Sequence, residues 1–127
     1  MIVLDASVLI AYLDARDAHH HMAQSLLERE IDGQLLVNPL TLGEVLVGPV
    51  RVDRLDDALT VLRELGIVEQ PFPTDAAARL AQLRVRTGLR MPDCCVVLAA
   101  QDATARVASF DVALIKAATT LGLSTAS

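Results

Sequence analysis

Apolar residues along this chain arrive in two rhythms. Short apolar-rich runs, Ile2-Val3-Leu4, Leu35-Leu36-Val37, Gly66-Ile67-Val68 and Arg106-Val107-Ala108, predict β-strands, with Leu123-Ser124-Thr125 as a short edge. Between them, apolar positions recur every three or four residues. That spacing predicts helices near 7–14, 18–30, 40–47, 53–65, 74–87, 92–103 and 112–121. Asp53 and Thr74 are expected N-caps, Pro92 fits the first turn of a helix, and Gly33, Gly66, Gly88 and Gly122 stand where helices should stop. Strands that alternate with helices predict βαβ units, and strands this short and apolar predict a sheet covered on both faces. The expected fold class is α/β: a three-layer αβα sandwich around a mainly parallel central sheet of four to five strands. At 127 residues, one domain over 1–127 is expected.

Composition sharpens this in one respect. The chain is 53% hydrophobic and 21% charged, with a mean hydropathy of +0.43, which excludes a disordered chain. Charged residues interrupt every greasy stretch well short of the ~20 residues that cross a bilayer, so no membrane association is expected. The surplus of apolar surface instead predicts an oligomer or a constitutive partner. Met1-Ile2-Val3-Leu4-Asp5 lacks the basic start of a secretory signal, so a cytoplasmic location is expected. Cys94 and Cys95 are adjacent, a poor geometry for a disulfide, and read as packing residues.

Four acids stand out. In an open parallel sheet, ligands bind outside the carboxyl ends of the strands. Asp5 directly follows the first strand and Asp111 follows the Val107 strand, so both should project at that edge. Glu44 lies in a helix that leaves the Leu35 strand through Asn38-Pro39, and it is the only charge between Leu35 and Val50. A solvated helix face would carry several charges, so a functional role accounts for Glu44 better. Asp93 begins a helix that follows another helix, and topology alone leaves its position open. Asp at a helix start also serves as a cap, which is the plain alternative for Asp5, Asp93 and Asp111. Clustered carboxylates repel one another unless a cation neutralises them, and hard oxygen ligands select Mg²⁺ or Mn²⁺.

The net charge of −5 at first argues against a nucleic-acid partner. Four acids in one site would leave the remainder at only −1. Ten of the eleven basic residues are Arg, and Arg51, Arg54, Arg79, Arg84, Arg86 and Arg90 could form a rim for phosphate contacts. Of these, Arg51, Arg54, Arg86 and Arg90 are the candidate nucleic-acid-binding residues. With Tyr12, Phe72 and Phe110 as the only aromatics, recognition by an extended stacking platform is not expected.

Taken together, Val3-Leu4-Asp5-Ala6-Ser7-Val8-Leu9-Ile10, Thr41-Leu42-Gly43-Glu44-Val45-Leu46, Met91-Pro92-Asp93-Cys94 and Ala108-Ser109-Phe110-Asp111 resemble the motifs of the PIN-domain nucleases, within them the VapC-type toxins of bacterial toxin–antitoxin pairs. The segments occur in the family's order over essentially the whole chain. The resemblance implies an acidic metal site of Asp5, Glu44, Asp93 and Asp111, supported by the hydroxyls of Ser7 and Ser109. It also implies cleavage of structured RNA such as tRNA or rRNA, a homodimer, and inhibition by a cognate VapB-like antitoxin. Asp5, Asp93 and Asp111 would hold the main ion, with Glu44 orienting the attacking water or a second ion.

Rival readings make distinct demands. A phosphatase with Asp5 as nucleophile would place a second Asp two residues on, where this chain has Ser7. A non-catalytic, antitoxin-binding module on the same fold has no need of Glu44 in an apolar helix. His19-His20-His21 suggests a metal-free ribonuclease, but consecutive helical residues point about 100° apart and cannot share one ion; a solvated helix start is expected instead. No Gly-rich phosphate loop, Gly-x-Ser-x-Gly elbow or zinc-type cysteine spacing occurs.

Overall fold

The computed structural model describes residues 1–127. Five strands, β1 (Ile2–Leu4), β2 (Leu35–Val37), β3 (Ile67–Glu69), β4 (Arg106–Ala108) and β5 (Thr125–Ala126), form one sheet in the order β3-β2-β1-β4-β5, with every neighbouring pair parallel. The helices are α1 (Ala6–Leu13), α2 (His20–Glu30), α3 (Pro39–Arg51), α4 (Leu55–Glu64), α5 (Ala76–Thr87), α6 (Met91–Ala103) and α7 (Val112–Thr120).

Strand side chains alternate between two faces, and each face meets its own apolar layer. Val3, Leu36 and Val107 pack with Val96, Val97 and Leu98 of α6 and with Leu114 and Ala118 of α7. Ile2, Leu4, Leu35, Val37 and Ala108 pack with residues of α1 to α4, including Val8, Leu26, Val45 and Leu62. The expected αβα sandwich is present, with five parallel strands. Central β1 and β2 are buried throughout, whereas edge strand β3 exposes Val68 and Glu69.

The chain steps outward from β1 to β2 and β3, then crosses back to the other side of β1 for β4 and β5. The strand order therefore reverses between β1 and β4, and the crevice at that switch point opens at their carboxyl ends. The α5–α6 pair fixes a further part of this edge. Arg79, early in α5, pairs with Asp102 near the end of α6, while Arg84, late in α5, donates to the Leu89 carbonyl just before α6. The two helices are antiparallel. Because α6 ends by feeding the amino end of β4, it begins at the carboxyl edge.

Several boundaries differ from the sequence expectation. α3 continues through Pro49 to Arg51, since a proline in the last turns removes a single helical hydrogen bond. Asp53 does not cap α4; it adopts a left-handed φ of 55° in a tight turn closed by Arg54 N–H on the Pro49 carbonyl, and Arg54 precedes the helix. Asp75, not Thr74, occupies the cap position of α5. Gly66, Gly88 and Gly122 take positive φ as helix stops should, while Gly33 does not. β5 begins at Thr125 rather than Leu123.

Candidate active site

Asp5 leaves β1 at the switch point, with its backbone N–H bonded to the Ala108 carbonyl of the adjacent strand at 2.9 Å. It occupies the N-cap position of α1, yet its side chain makes no cap bond. Its Oδ2 instead accepts from Ser109 Oγ at 2.6 Å and Ser7 Oγ at 2.8 Å. Ser7 Oγ also accepts from the Phe110 N–H, and Ser109 Oγ from the Asp111 N–H. Two hydroxyls thus tie the loop after β1 to the loop after β4 and fix the rotation of the Asp5 carboxylate. The helix-cap alternative is excluded for Asp5.

For Asp111 the cap is real. Its Oδ1 accepts from Ala113 N–H at 2.9 Å and Leu114 N–H at 3.3 Å, opening α7. Oδ2 makes no protein hydrogen bond, so capping and an exposed carboxylate oxygen coexist.

Asp93 sits in the first turn of α6 and is only 8% exposed, as is Asp5. Arg90 Nε lies 3.7 Å from Asp93 Oδ2. Burial, then the charge of Asp5, raise the Asp93 pKa; Arg90 opposes them and Asp111 adds to the rise. Glu44 is an exposed residue in the second turn of α3, a helix started by Asn38, whose side chain accepts from Thr41 N–H. Partial desolvation at the crevice, followed by Asp5 and Asp93, raises its pKa as well. Asp5 thus acts on both Glu44 and Asp93, and Asp93 also feels Asp111.

The structure therefore brings all four acids to one edge. Each keeps at least one carboxylate oxygen without a protein hydrogen bond. The donors are hard oxygens, and the mutual repulsion is the kind a divalent cation relieves, so the residue types are those of a divalent-cation site. They do not form a closed cage: no three His, Cys, Asp or Glu side chains converge tightly enough to hold an ion as they stand.

The other flagged residues are dispersed. His19 stacks on Phe110 at 5.0 Å, His20 Nδ1 donates to the Ala11 carbonyl at 2.7 Å, and His21 faces Gln24. The His19–Phe110 contact beside the acids had no sequence signal, since it joins residues from opposite halves of the chain. Cys94 and Cys95 are buried free thiols, and burial pushes Cys95 up to about 11, as packing residues should be. Among the arginines, Arg54 pairs with Asp57 at 2.6 Å, Arg79 with Asp75 and Asp102, and Arg84 with the carbonyls of Gly88 and Leu89. Arg90 borders the acids, and neither Arg51 nor Arg86 is in an ion pair.

This fold recurs in solved structures. A toxin–antitoxin complex from Klebsiella pneumoniae matches at 21% identity over 91% of this chain and 90% of that one, with a TM-score of 0.77. VapC20 of Mycobacterium tuberculosis, described as a sarcin–ricin loop cleaving toxin, matches at 18% identity over 92% and 95%, TM-score 0.78. VapBC2 of Rickettsia felis, bound to a DNA fragment from its promoter, matches at 13% identity over 99% and 98%, TM-score 0.74. No curated protein sequence matches significantly. The model of the family described as PIN domain matches residues 2–119, and with nearly the whole chain inside that match, this protein belongs to the PIN domain family.

Proposed function

We propose that residues 1–127 act as one metal-dependent endoribonuclease domain, the toxin of a toxin–antitoxin pair, cleaving structured RNA such as tRNA or rRNA. What supports this is the position of Asp5, Asp93 and Asp111 on the carboxyl-edge loops and helix starts around the β1/β4 switch point, with Glu44 electrostatically coupled to Asp5 and Asp93, in a PIN domain chain. The neighbours described as a toxin–antitoxin complex and as an RNA-cleaving toxin support the biological setting.

Asp5, Asp93 and Asp111 would hold Mg²⁺ or Mn²⁺, with Glu44 beside them. Such an ion supplies a lowered pKa for water and charge stabilisation for an in-line displacement at phosphorus. Ser7 and Ser109 keep Asp5 Oδ2 occupied, which leaves Oδ1 free of protein hydrogen bonds for an ion. Glu44, with its raised pKa, is suited to accept the proton of the attacking water. Arg90 offsets part of the negative charge that an approaching phosphodiester would meet. Since water attacks rather than the RNA 2′-hydroxyl, the products carry a 5′-phosphate and a 3′-hydroxyl.

Partners follow from the surface. α3 exposes Leu40, Val47 and Val50, the turn beyond it exposes Val52, and the first residue of α4, Leu55, is exposed as well. A VapB-like antitoxin segment and a second copy of the chain would cover such surface in the working complex. Brief expression followed by sequencing of 5′-phosphate RNA ends tests the function and identifies the target. New ends that accumulate with the wild-type chain and not with Asp5→Asn are expected; identical end profiles would overturn the proposal.

A further inference from the structure

Beside the acids, a cleft of about 410 Å³ opens between the α5–α6 turn and α7. One wall carries Arg86, Thr87 and Leu89, and the other carries Ala113, Lys116 and Thr120. We infer that this cleft is a subsite for backbone phosphates of the RNA, with Arg86 and Lys116 as its cationic contacts. The assignment rests on the ribonuclease reading and gives its substrate a path away from the acids.

Three observations carry it. The first is charge. Lys116 is the only lysine of a chain with net charge −5, and it stands across the cleft from Arg86. Neither side-chain cation makes an ion pair, whereas Arg16, Arg54, Arg79, Arg90 and Arg106 all do. Two exposed cations that face one cleft without a carboxylate partner give it a positive lining that favours an anion.

The second is construction. Gly88 takes a left-handed φ of 72°, and Arg84 Nη1 clamps the turn by donating to the carbonyls of Gly88 at 2.8 Å and Leu89 at 2.7 Å. Thr87 Oγ1 accepts from the Leu89 N–H at 3.1 Å. Opposite, Ala113, Lys116, Ala117 and Thr120 fall at three- and four-residue intervals on one face of α7, so the small Ala113 and Ala117 flank Lys116, while Thr120 Oγ1 donates to the Lys116 carbonyl.

The third is position. Both walls start at the acids: Ala113 N–H is bonded to Asp111 Oδ1 at 2.9 Å, and Leu89 leads within four residues to Asp93. Lys116 lies five residues beyond Asp111, about 7.5 Å along the helix axis. A strand with its scissile phosphate over the acids therefore passes neighbouring phosphates across the cleft. Contacts of this kind position a strand without reading its sequence.

The test is equilibrium binding of a fluorescent RNA hairpin with a single-stranded 3′ extension, measured against salt with Asp5→Asn protein so that the probe stays intact. In that background, Arg86→Ala and Lys116→Ala should each weaken binding and each reduce the slope of log K against log salt by about 0.7–0.9. Lys116→Arg should restore the slope. Arg63→Ala, which removes an exposed cation from the last turn of α4, should leave it unchanged. If the parent binds RNA and neither cleft variant alters the slope, the subsite is wrong while the ribonuclease reading stands. If the parent shows no salt-dependent RNA binding, both fall.

Discussion

The two ends of the sheet hold carboxylates in opposite conditions. At the amino end, Glu30 of α2 forms a two-bond pair with Arg106 of β4, both at 2.9 Å, and the guanidinium holds the Glu30 pKa below its usual value of 4.5. At the carboxyl end, burial and neighbouring acids raise Glu44 and Asp93 above theirs. One end spends its charge on holding α2 to the sheet. The other tolerates repulsion that does nothing for the fold, as catalytic sites often do.

The sharpest way to break the contrast is at its centre. Asp5→Asn keeps the shape of the group Ser7 and Ser109 hold, and should lower RNA cleavage more than 100-fold, beyond the range typical of a supporting residue. Ser109→Ala, which frees the Asp5 carboxylate, should cost about 10- to 100-fold. Circular dichroism of both variants should remain that of the folded chain.

Stability separates the ends by sign. Glu30→Gln should lower stability by about 0.5–1 kcal/mol, a modest figure because the pair is partly exposed. Glu44→Gln should instead raise the Tm of the metal-free chain, as should Mg²⁺ or Mn²⁺ added to the wild type. Equal and opposite shifts are not needed; opposite signs are.

Acid titration offers a finer cut. Glu30 has a depressed pKa, so its contribution is present above pH 4.5 and lost as pH falls through the folded value. Glu44 and Asp93 have raised pKa values, so their penalty is present at neutral pH. It disappears as pH falls through the folded values toward 4.5 and 3.8. The Tm advantage of Glu44→Gln should therefore shrink between neutral pH and about pH 4.5, while the deficit of Glu30→Gln persists there and shrinks only at lower pH.

Much of this arrangement was legible in the sequence, for reasons that differ by residue. Asp5 and Asp111 follow strands whose apolar runs are unmistakable, and parallel topology puts both at one edge. Glu44 stood out because its helix is otherwise uncharged. Asp93 was left open by topology because its helix follows another helix. The structure supplies the missing rule: a helix that feeds a parallel strand must end at that strand's amino end and so begin at the carboxyl edge, whatever precedes it. Asp53 illustrates what local chemistry hides, since a good capping residue was taken up by a left-handed turn. The arginines illustrate what distance hides, because the ion pairs of Arg79 with Asp102 and Arg106 with Glu30 join segments far apart in the chain.

In the proposed reaction water attacks the phosphodiester, and a divalent cation held by Asp5, Asp93 and Asp111 would supply the charge stabilisation. The most direct test is the end chemistry of RNA cut by purified protein in Mg²⁺ or Mn²⁺, with a chelator control. The expected products are 5′-phosphate and 3′-hydroxyl ends that vanish with the chelator. Products ending in a 2′,3′-cyclic phosphate, or cleavage that persists without a divalent cation, would contradict it.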